Sequence, residues 1–250
     1  MKTEILVVGH KKFHKPLFKN EYKKIFVGPN QANLASGQDY RDSSGDNIAE
    51  KNANYNEMTA IYWAWKNLDL DNYGFCHYRR FLKYDGKLLD KKTIDRLLQT
   101  YDVIVPKVEK YGDGIRTYEE IYLETVKYND VDLLRGIITK NHPEWLNAFN
   151  HVMSEQSGNG HMRNTFIMTN QAFDSYCSFI FTLLFELEEI VPKSEITGQR
   201  TRMFGFLSEK LLDVWIENNQ ANFVEAEMIF SELGMKRVNN KVKHLMKGAE

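Results

Sequence analysis

The segment Tyr73-Gly74-Phe75-Cys76-His77-Tyr78-Arg79-Arg80-Phe81-Leu82 narrows the fold more than any other, because a short apolar run stops abruptly at a histidine and two adjacent arginines. Such a run reads as a buried strand that delivers cations into a cleft. In an open α/β sheet ligands lie beyond the carboxyl ends of the strands, so His77, Arg79 and Arg80 point to an anionic ligand such as a diphosphate. The same spelling also serves an edge strand whose arginines reach into solvent.

The rest of the chain alternates strand and helix in its first half. Residues 4–8 read as a buried parallel strand, with the basic loop His10-Lys11-Lys12-Phe13-His14-Lys15 at its carboxyl end, where a nucleotide would lie. Residues 22–27 suit a second strand, and Gly28-Pro29-Asn30 a turn. The irregular polar stretch up to Lys51 carries Asp39, Asp42 and Asp46 with Gly45 and Asn47, the make-up of a turn-rich surface loop or of a functional one. A helix follows, with Asn54 as N-cap and Glu57 three residues on in a capping-box arrangement. Its core face is Met58, Ile61, Tyr62 and Trp65, while Asn56, Thr59, Trp63 and Lys66 fall largely off that face. Trp63 then either packs on a neighbouring element or walls a base or sugar pocket.

Asp90 caps a helix that uses Ile94, Leu97 and Leu98, and residues 101–106 form a strand closed by Pro106. From Tyr118 the pattern is mainly helical: one segment through Ile138, another over 143–153, a short strand over 162–168, then helices over 171–189 and 206–218. These last helices complete the compact part, giving an α/β sheet with a more helical C-terminal half.

At 250 residues and 42% hydrophobic content the chain can bury one large core, and a single domain over 1–235 with a basic tail over 236–250 is expected. With 33 basic and 34 acidic residues no overall field draws it to nucleic acid, so phosphate recognition must be local. Cys76 and Cys177 both lie in apolar runs and read as reduced core thiols of a cytosolic protein. The apolar run at residues 5–8 is too short for a signal peptide or a membrane span. The cations of the tail, Lys236, Arg237, Lys241, Lys243 and Lys247, suit either a solvated end or a basic segment touching a membrane surface.

Four motifs then carry a resemblance: Gly45-Asp46-Asn47-Ile48 with Lys51-Asn52; Glu57-Met58-Thr59-Ala60-Ile61-Tyr62-Trp63-Ala64-Trp65-Lys66-Asn67; Cys76-His77-Tyr78-Arg79-Arg80-Phe81; and Arg202 with Gly205-Phe206-Leu207-Ser208-Glu209-Lys210-Leu211-Leu212. In order and spacing the chain resembles a bacterial family of capsular and surface polysaccharide biosynthesis proteins, long held as a domain of unknown function and now counted among glycosyltransferases. The resemblance implies a GT-A-like, Rossmann-type mixed sheet flanked by helices. It also implies sugar transfer from a UDP-sugar, with galactofuranose the donor sugar of characterised relatives, to a glycan acceptor. A lipid-linked acceptor at the inner face of the cytoplasmic membrane is the expected setting. Two positions depart from the pattern: Asn164-Thr165-Phe166 stands where relatives read Asn-Met-Phe, and Lys210 replaces the arginine of Ser-Glu-Arg, losing a planar fork. No phosphate-clamping role is therefore expected of Lys210.

Many GT-A enzymes place an Asp-x-Asp at a strand end to hold a divalent metal such as manganese or magnesium. Here the comparable strand ends in cations, and Asp69-Leu70-Asp71 precedes the strand as a turn. Arg79 or Arg80 with His77 is expected to stabilise the leaving diphosphate instead. The donor pocket would draw on His10, Lys11, Asp46, Asn47, Lys51, Asn52 and Arg202, with Asp46 on ribose or uracil and Lys51 on phosphate. Glu209 is the first choice for the base that takes the acceptor proton, against a reading as a helix cap or partner of Arg202. Asp113, in the loop Tyr111-Gly112-Asp113-Gly114, is the second. His161 and Arg163 either reach toward the acceptor or are structural. The alternative from another class is a non-catalytic nucleotide or glycan binding module on the same fold.

Overall fold

Leu6 and Val8 lie on one face of the first strand and Ile5 and Val7 on the other, and all four are buried, so both faces of the sheet must be covered. The computed structural model describes residues 1–13, 20–109, 114–155 and 160–230. In chain order these form β1 (Thr3–Gly9), β2 (Tyr22–Phe26), α1 (Gln31–Leu34), β3 (Tyr40–Arg41), α2 (Asn52–Tyr55), α3 (Met58–Asn67), β4 (Asn72–His77), β5 (Arg80–Tyr84), β6 (Lys87–Leu88) and α4 (Lys91–Leu97). There follow β7 (Val103–Pro106), α5 (Tyr118–Val126), α6 (Asp130–Asn141), α7 (Leu146–Ser154), β8 (Phe166–Thr169), α8 (Asn170–Ile190), α9 (Met203–Asn218) and β9 (Phe223–Phe230).

The strand order is β3-β2-β1-β4-β8-β7-β9-β5-β6. β1 runs parallel to β2 and β4, and β8 lies antiparallel between β4 and β7. One face packs Leu6, Phe75, Val105 and Met168 against α3 and the helices from α5 to α9; the other packs Ile5, Cys76, Ile104 and Ile167 against α4 and residues of β5. Each fully buried side chain of this size contributes about 1.5–3 kcal/mol. The sheet is thus the mixed α/β layer that the resemblance implies. Cys76 and Cys177 are buried and unpaired.

Several elements differ from expectation. The stretch from Tyr73 to Leu82 is two strands: β4 stops at His77, Tyr78 and Arg79 make the corner, and Arg80 opens β5. The capping box at Asn54 is not formed. The chain breaks at Asn56 (φ 51°, ψ −129°), α3 starts only at Met58, and Asn54 donates instead to the carbonyl of Thr201 at 2.8 Å. Thr59 and Trp63, expected off the core face, are buried, and the Trp63 indole donates to the carbonyl of Ser44 at 2.7 Å, which makes it a packing residue. Asp42 lies in the turn-rich, otherwise exposed segment expected there, but its side chain turns inward: it is fully buried and accepts from Thr59 Oγ1 at 2.5 Å.

The helical segment from Tyr118 is split at Lys127, which adopts φ 68° and caps α5 in the left-handed conformation. β9 was not foreseen, and it lies inside the sheet. Its first half pairs parallel with β7 and its second half antiparallel with β5, Arg80 facing Phe230. Asp69-Leu70-Asp71 is a turn, as expected, with Asp71 Oδ2 accepting from the backbone of Lys2. The basic tail and Asp113 lie outside the described residues. Among the described residues no helix is long and apolar enough to cross a membrane.

Candidate active site

β1 and β4 are neighbours that run the same way, while β2 lies to the outer side of β1, so their carboxyl ends mark the point where the strand order reverses. There the backbone N–H of Tyr78 donates to the carbonyl of Val8 at 3.0 Å and fixes the corner after His77. Tyr78 is buried, and three basic side chains gather on its ring, of which His10 is pushed toward its neutral form by burial, Lys11 and Arg79. His10 lies edge-on at 5.7 Å between centroids, Lys11 Nζ stands 5.3 Å from the ring centre and the Arg79 guanidinium carbon 5.2 Å. His77 accepts from the backbone N–H of Arg79 through Nδ1 at 3.4 Å. Burial, then Arg80, Arg79, His10 and Lys11 in that order, push its pKa down to about 3. These four named neighbours are all basic, so the strand end favours an anion in electrostatic terms.

A second cluster adjoins it at the start of β5. Burial, then the carboxylate of Glu57, push Glu209 on α9 up to about 7, against the lowering effects of the Arg163 backbone N–H and the guanidiniums of Arg163 and Arg80. Burial lowers the pKa of Arg80, as do Arg163 and Arg79, while Glu209 and Glu57 raise it. Two carboxylates and two guanidiniums therefore meet from four separate segments. Glu57 is aimed by the left-handed Asn56, whose carbonyl accepts from Asn52 Nδ2 at 2.8 Å. Asn164 Nδ2 donates to Glu57 Oε1 at 3.1 Å and to Ser208 Oγ at 3.0 Å, joining this corner to α9. Arg163 (φ 79°) and Asn164 (φ 46°) are themselves left-handed, and Arg163 Nη2 donates to Glu109 at 2.7 Å. Strained backbone thus converges on the carboxylates from two sides. Gly205 permits the contact, since a Cβ there would stand 2.1 Å from Asn56 Nδ2.

Of the residues singled out in the sequence, the fold brings His10, Lys11, His77 and Arg79 together on Tyr78, and Arg80 and Glu209 into the adjoining cluster. Arg202 sits at its rim, donating to Asn56 Oδ1 at 3.4 Å. Asn52 acts on the site through Asn56. Lys51 is instead paired with Glu188 on α8 at 2.5 Å, and Asp46 and Asn47 form a turn against the C-terminal end of α3, where Asn67 donates to the Asp46 carbonyl at 2.7 Å. The fold does not bring these three to the strand ends. His161 is buried with Nδ1 2.6 Å from Asp213 Oδ1, and Lys210 is fully buried 3.5 Å from the same carboxylate, so both serve the packing of α9. Thr165 is fully buried and donates to the Arg163 carbonyl. Glu57 and Asn164 were missed as site residues: Glu57 was read as a cap, and its place inside the second motif was the signal available.

Among the described residues the crevice does not present the donor set of a divalent metal. The strand end offers cations, and Glu57 and Glu209 are already met by Asn164, Arg80 and Arg163. Among the described residues no group of three or more His, Cys, Asp or Glu side chains could hold one.

A mixed sheet led by parallel strands, helices on both faces and a charged crevice at the β1–β4 ends define a GT-A-like α/β protein. More narrowly, the chain belongs to the family described as Domain of unknown function (DUF4422), which matches residues 4–220. Among solved structures it is similar to the WbbM bifunctional glycosyltransferase in its apo form, with 26% sequence identity and a TM-score of 0.80. The match covers 92% of this chain and 45% of that one, so this chain spans less than half the length of that protein. No curated protein matches the chain.

Proposed function

We propose that this chain is a glycosyltransferase that uses a UDP-sugar, with the diphosphate held by His77, Arg79, Arg80, His10 and Lys11. The observation that carries the reading is the set of basic neighbours around His77 at the carboxyl ends of β1 and β4. The likeness to a bifunctional glycosyltransferase of the same fold supports it. In the proposed reaction the acceptor hydroxyl oxygen attacks the anomeric carbon, the bond from that carbon to the diphosphate oxygen breaks, and its electron pair leaves with the diphosphate. The hydroxyl proton passes to the Glu209 carboxylate. Charge-assisted bonds from the arginines stabilise the leaving group in a partly dry crevice, the task a metal performs elsewhere. Galactofuranose as the sugar and a lipid-linked surface glycan as the acceptor extend this proposal on the strength of the motif resemblance.

The test is a calorimetric titration with UDP, with manganese or with EDTA, on the wild type and on Arg79→Ala. Metal-independent binding weakened at least tenfold in the variant is expected. Strictly metal-dependent binding, or equal affinity in the two proteins, would overturn the proposal.

A further inference from the structure

Asp42 is a fully buried carboxyl that the proposed reaction does not use. Its backbone N–H donates to the carbonyl of Phe26 at 3.3 Å, so the residue is anchored at the carboxyl end of β2. Burial pushes its pKa up to about 6, against the lowering effects of the Thr59 hydroxyl, the Gln31 amide and its own backbone N–H. Keeping a carboxyl out of water costs stability, so its close contacts matter for what they hold in place.

Those contacts run to the corner between α2 and α3. Thr59 Oγ1 donates to Asp42 Oδ2 at 2.5 Å and accepts in turn from Asn52 Nδ2 at 3.0 Å. The second hydrogen of the same Asn52 amide goes to the carbonyl of Asn56 at 2.8 Å. The donors thus all point one way along Asp42, Thr59 and Asn52, and the acceptor at the end of the chain sets that direction. Asn56 is the left-handed residue of the corner (φ 51°, ψ −129°), and the next residue is Glu57, whose carboxylate helps to raise the pKa of Glu209.

We infer that Asp42 is a positioning residue of the candidate active site: through Thr59 and Asn52 it fixes the carbonyl of Asn56 and with it the aim of Glu57 at Glu209. The inference rests on the proposed transferase reading for the role of Glu209 as base. The aim of Glu57 itself is a matter of geometry and can be read without any reaction.

The experiment follows the side-chain carboxyl carbons of 13C-labelled glutamates by NMR from pH 5 to pH 9, the Glu209 resonance being the one lost in Glu209→Gln. Glu57→Gln sets the scale, because removing that charge lowers the Glu209 midpoint. Thr59→Val, which exchanges the hydroxyl for a methyl group of similar shape, and Asp42→Asn are each expected to lower it by at least half as much. Thr59→Ser keeps the hydroxyl and should keep the wild-type midpoint. A role in stability alone would lower the denaturation midpoint of Thr59→Val and leave the Glu209 titration where it is. An unmoved Glu209 midpoint in Thr59→Val, the same fall in Thr59→Ser as in Thr59→Val, or no response to Glu57→Gln would overturn the assignment. If Asp42→Asn gives no folded spectrum, Thr59→Val decides alone.

UDP titration of the same samples separates the two readings. None of these substitutions touches the cations at the strand end, so Thr59→Val should keep the wild-type affinity. If UDP fails to bind the wild type, the donor proposal falls and the NMR titration still decides on Asp42. If UDP binds and the Glu209 midpoint does not move in Thr59→Val, only the positioning role falls.

Discussion

Glu209 carries a carboxyl near neutrality beside Glu57, Arg163 and Arg80, and that property has a kinetic signature. Burial and the charge of Glu57 bring it to about 7, so the basic form that accepts a proton is populated only as pH rises through that value. Turnover is expected to climb with pH across the range around 7 and level off above it, and Glu209→Gln should lose at least 100-fold in turnover while keeping UDP affinity. A flat profile between pH 6 and 8 would remove Glu209 as the base. His77 makes a second prediction at the same scale. Its pKa lies near 3 because it is half-buried among cations, and a diphosphate placed there reverses the sign of its surroundings. UDP binding at pH 6 should therefore take up a proton, read as a calorimetric enthalpy that varies with the ionisation heat of the buffer, and His77→Gln should abolish that variation.

The corner between α2 and α3 shows how a site is aimed by backbone rather than by side-chain type. Asn56 occupies a conformation that L-residues adopt at a cost of about 1–3 kcal/mol, and its neighbours hold it there through Asn52 and the glycine gap in α9. Gly205→Ala raises helix propensity by about 1 kcal/mol, yet its methyl group collides with the Asn56 amide. The expected outcome is stability within about 1 kcal/mol of wild type by chemical denaturation, together with a severalfold fall in turnover, because Glu57 and Arg202 lose their shared reference point. Unchanged turnover would mean that the corner does not position Glu57. The same corner shows why parts of the fold were hard to read. Asn54 and Glu57 carry the spelling of a capping box, and nothing local in the chain signals that Asn164, over a hundred residues away, takes the Glu57 carboxylate. β1, β4 and α8 were legible because their apolar runs are long or bounded by clear stops. β9 was not: of its eight residues only Ala226 is buried, so neither strand nor helix period stands out. Among the candidate site residues, His77, Arg79 and Arg80 could be picked by charge at strand ends and Glu209 only by its place in the fourth motif, inside α9, whereas Asp46, Asn47 and Lys51 have the right chemistry in places the fold turns elsewhere.

At the scale of the whole molecule, the charges that serve the site act against the folded state. Glu209 keeps its proton up to about 7 in the native protein and loses it at ordinary carboxylate values in the unfolded chain. Across that window the native state binds more protons, so this group's contribution to stability is present at low pH and lost as pH rises through 7. Denaturation midpoints of wild type and Glu209→Gln should agree near pH 5 and separate by pH 8, the variant being the more stable by roughly 2 kcal/mol. Equal midpoints at pH 8 would show that the carboxylate is well solvated. His77 works in the opposite window: the native imidazole stays neutral to about 3, so stability falls as acid charges the unfolded chain below its usual value near 6.5. The pairing of β9 with both β7 and β5 adds a matter of timing. Arg80 sits on a strand whose main partner is among the last described residues to be synthesised, and such distant pairings form slowly. A nascent chain that has emerged only to residue 222 has β1, β4 and the helices available but leaves β5 with only the short β6 beside it and no tie to the rest of the sheet, so a ribosome-stalled chain of that length should not capture UDP. During translation the candidate crevice gains its full strand support only once β9 has emerged.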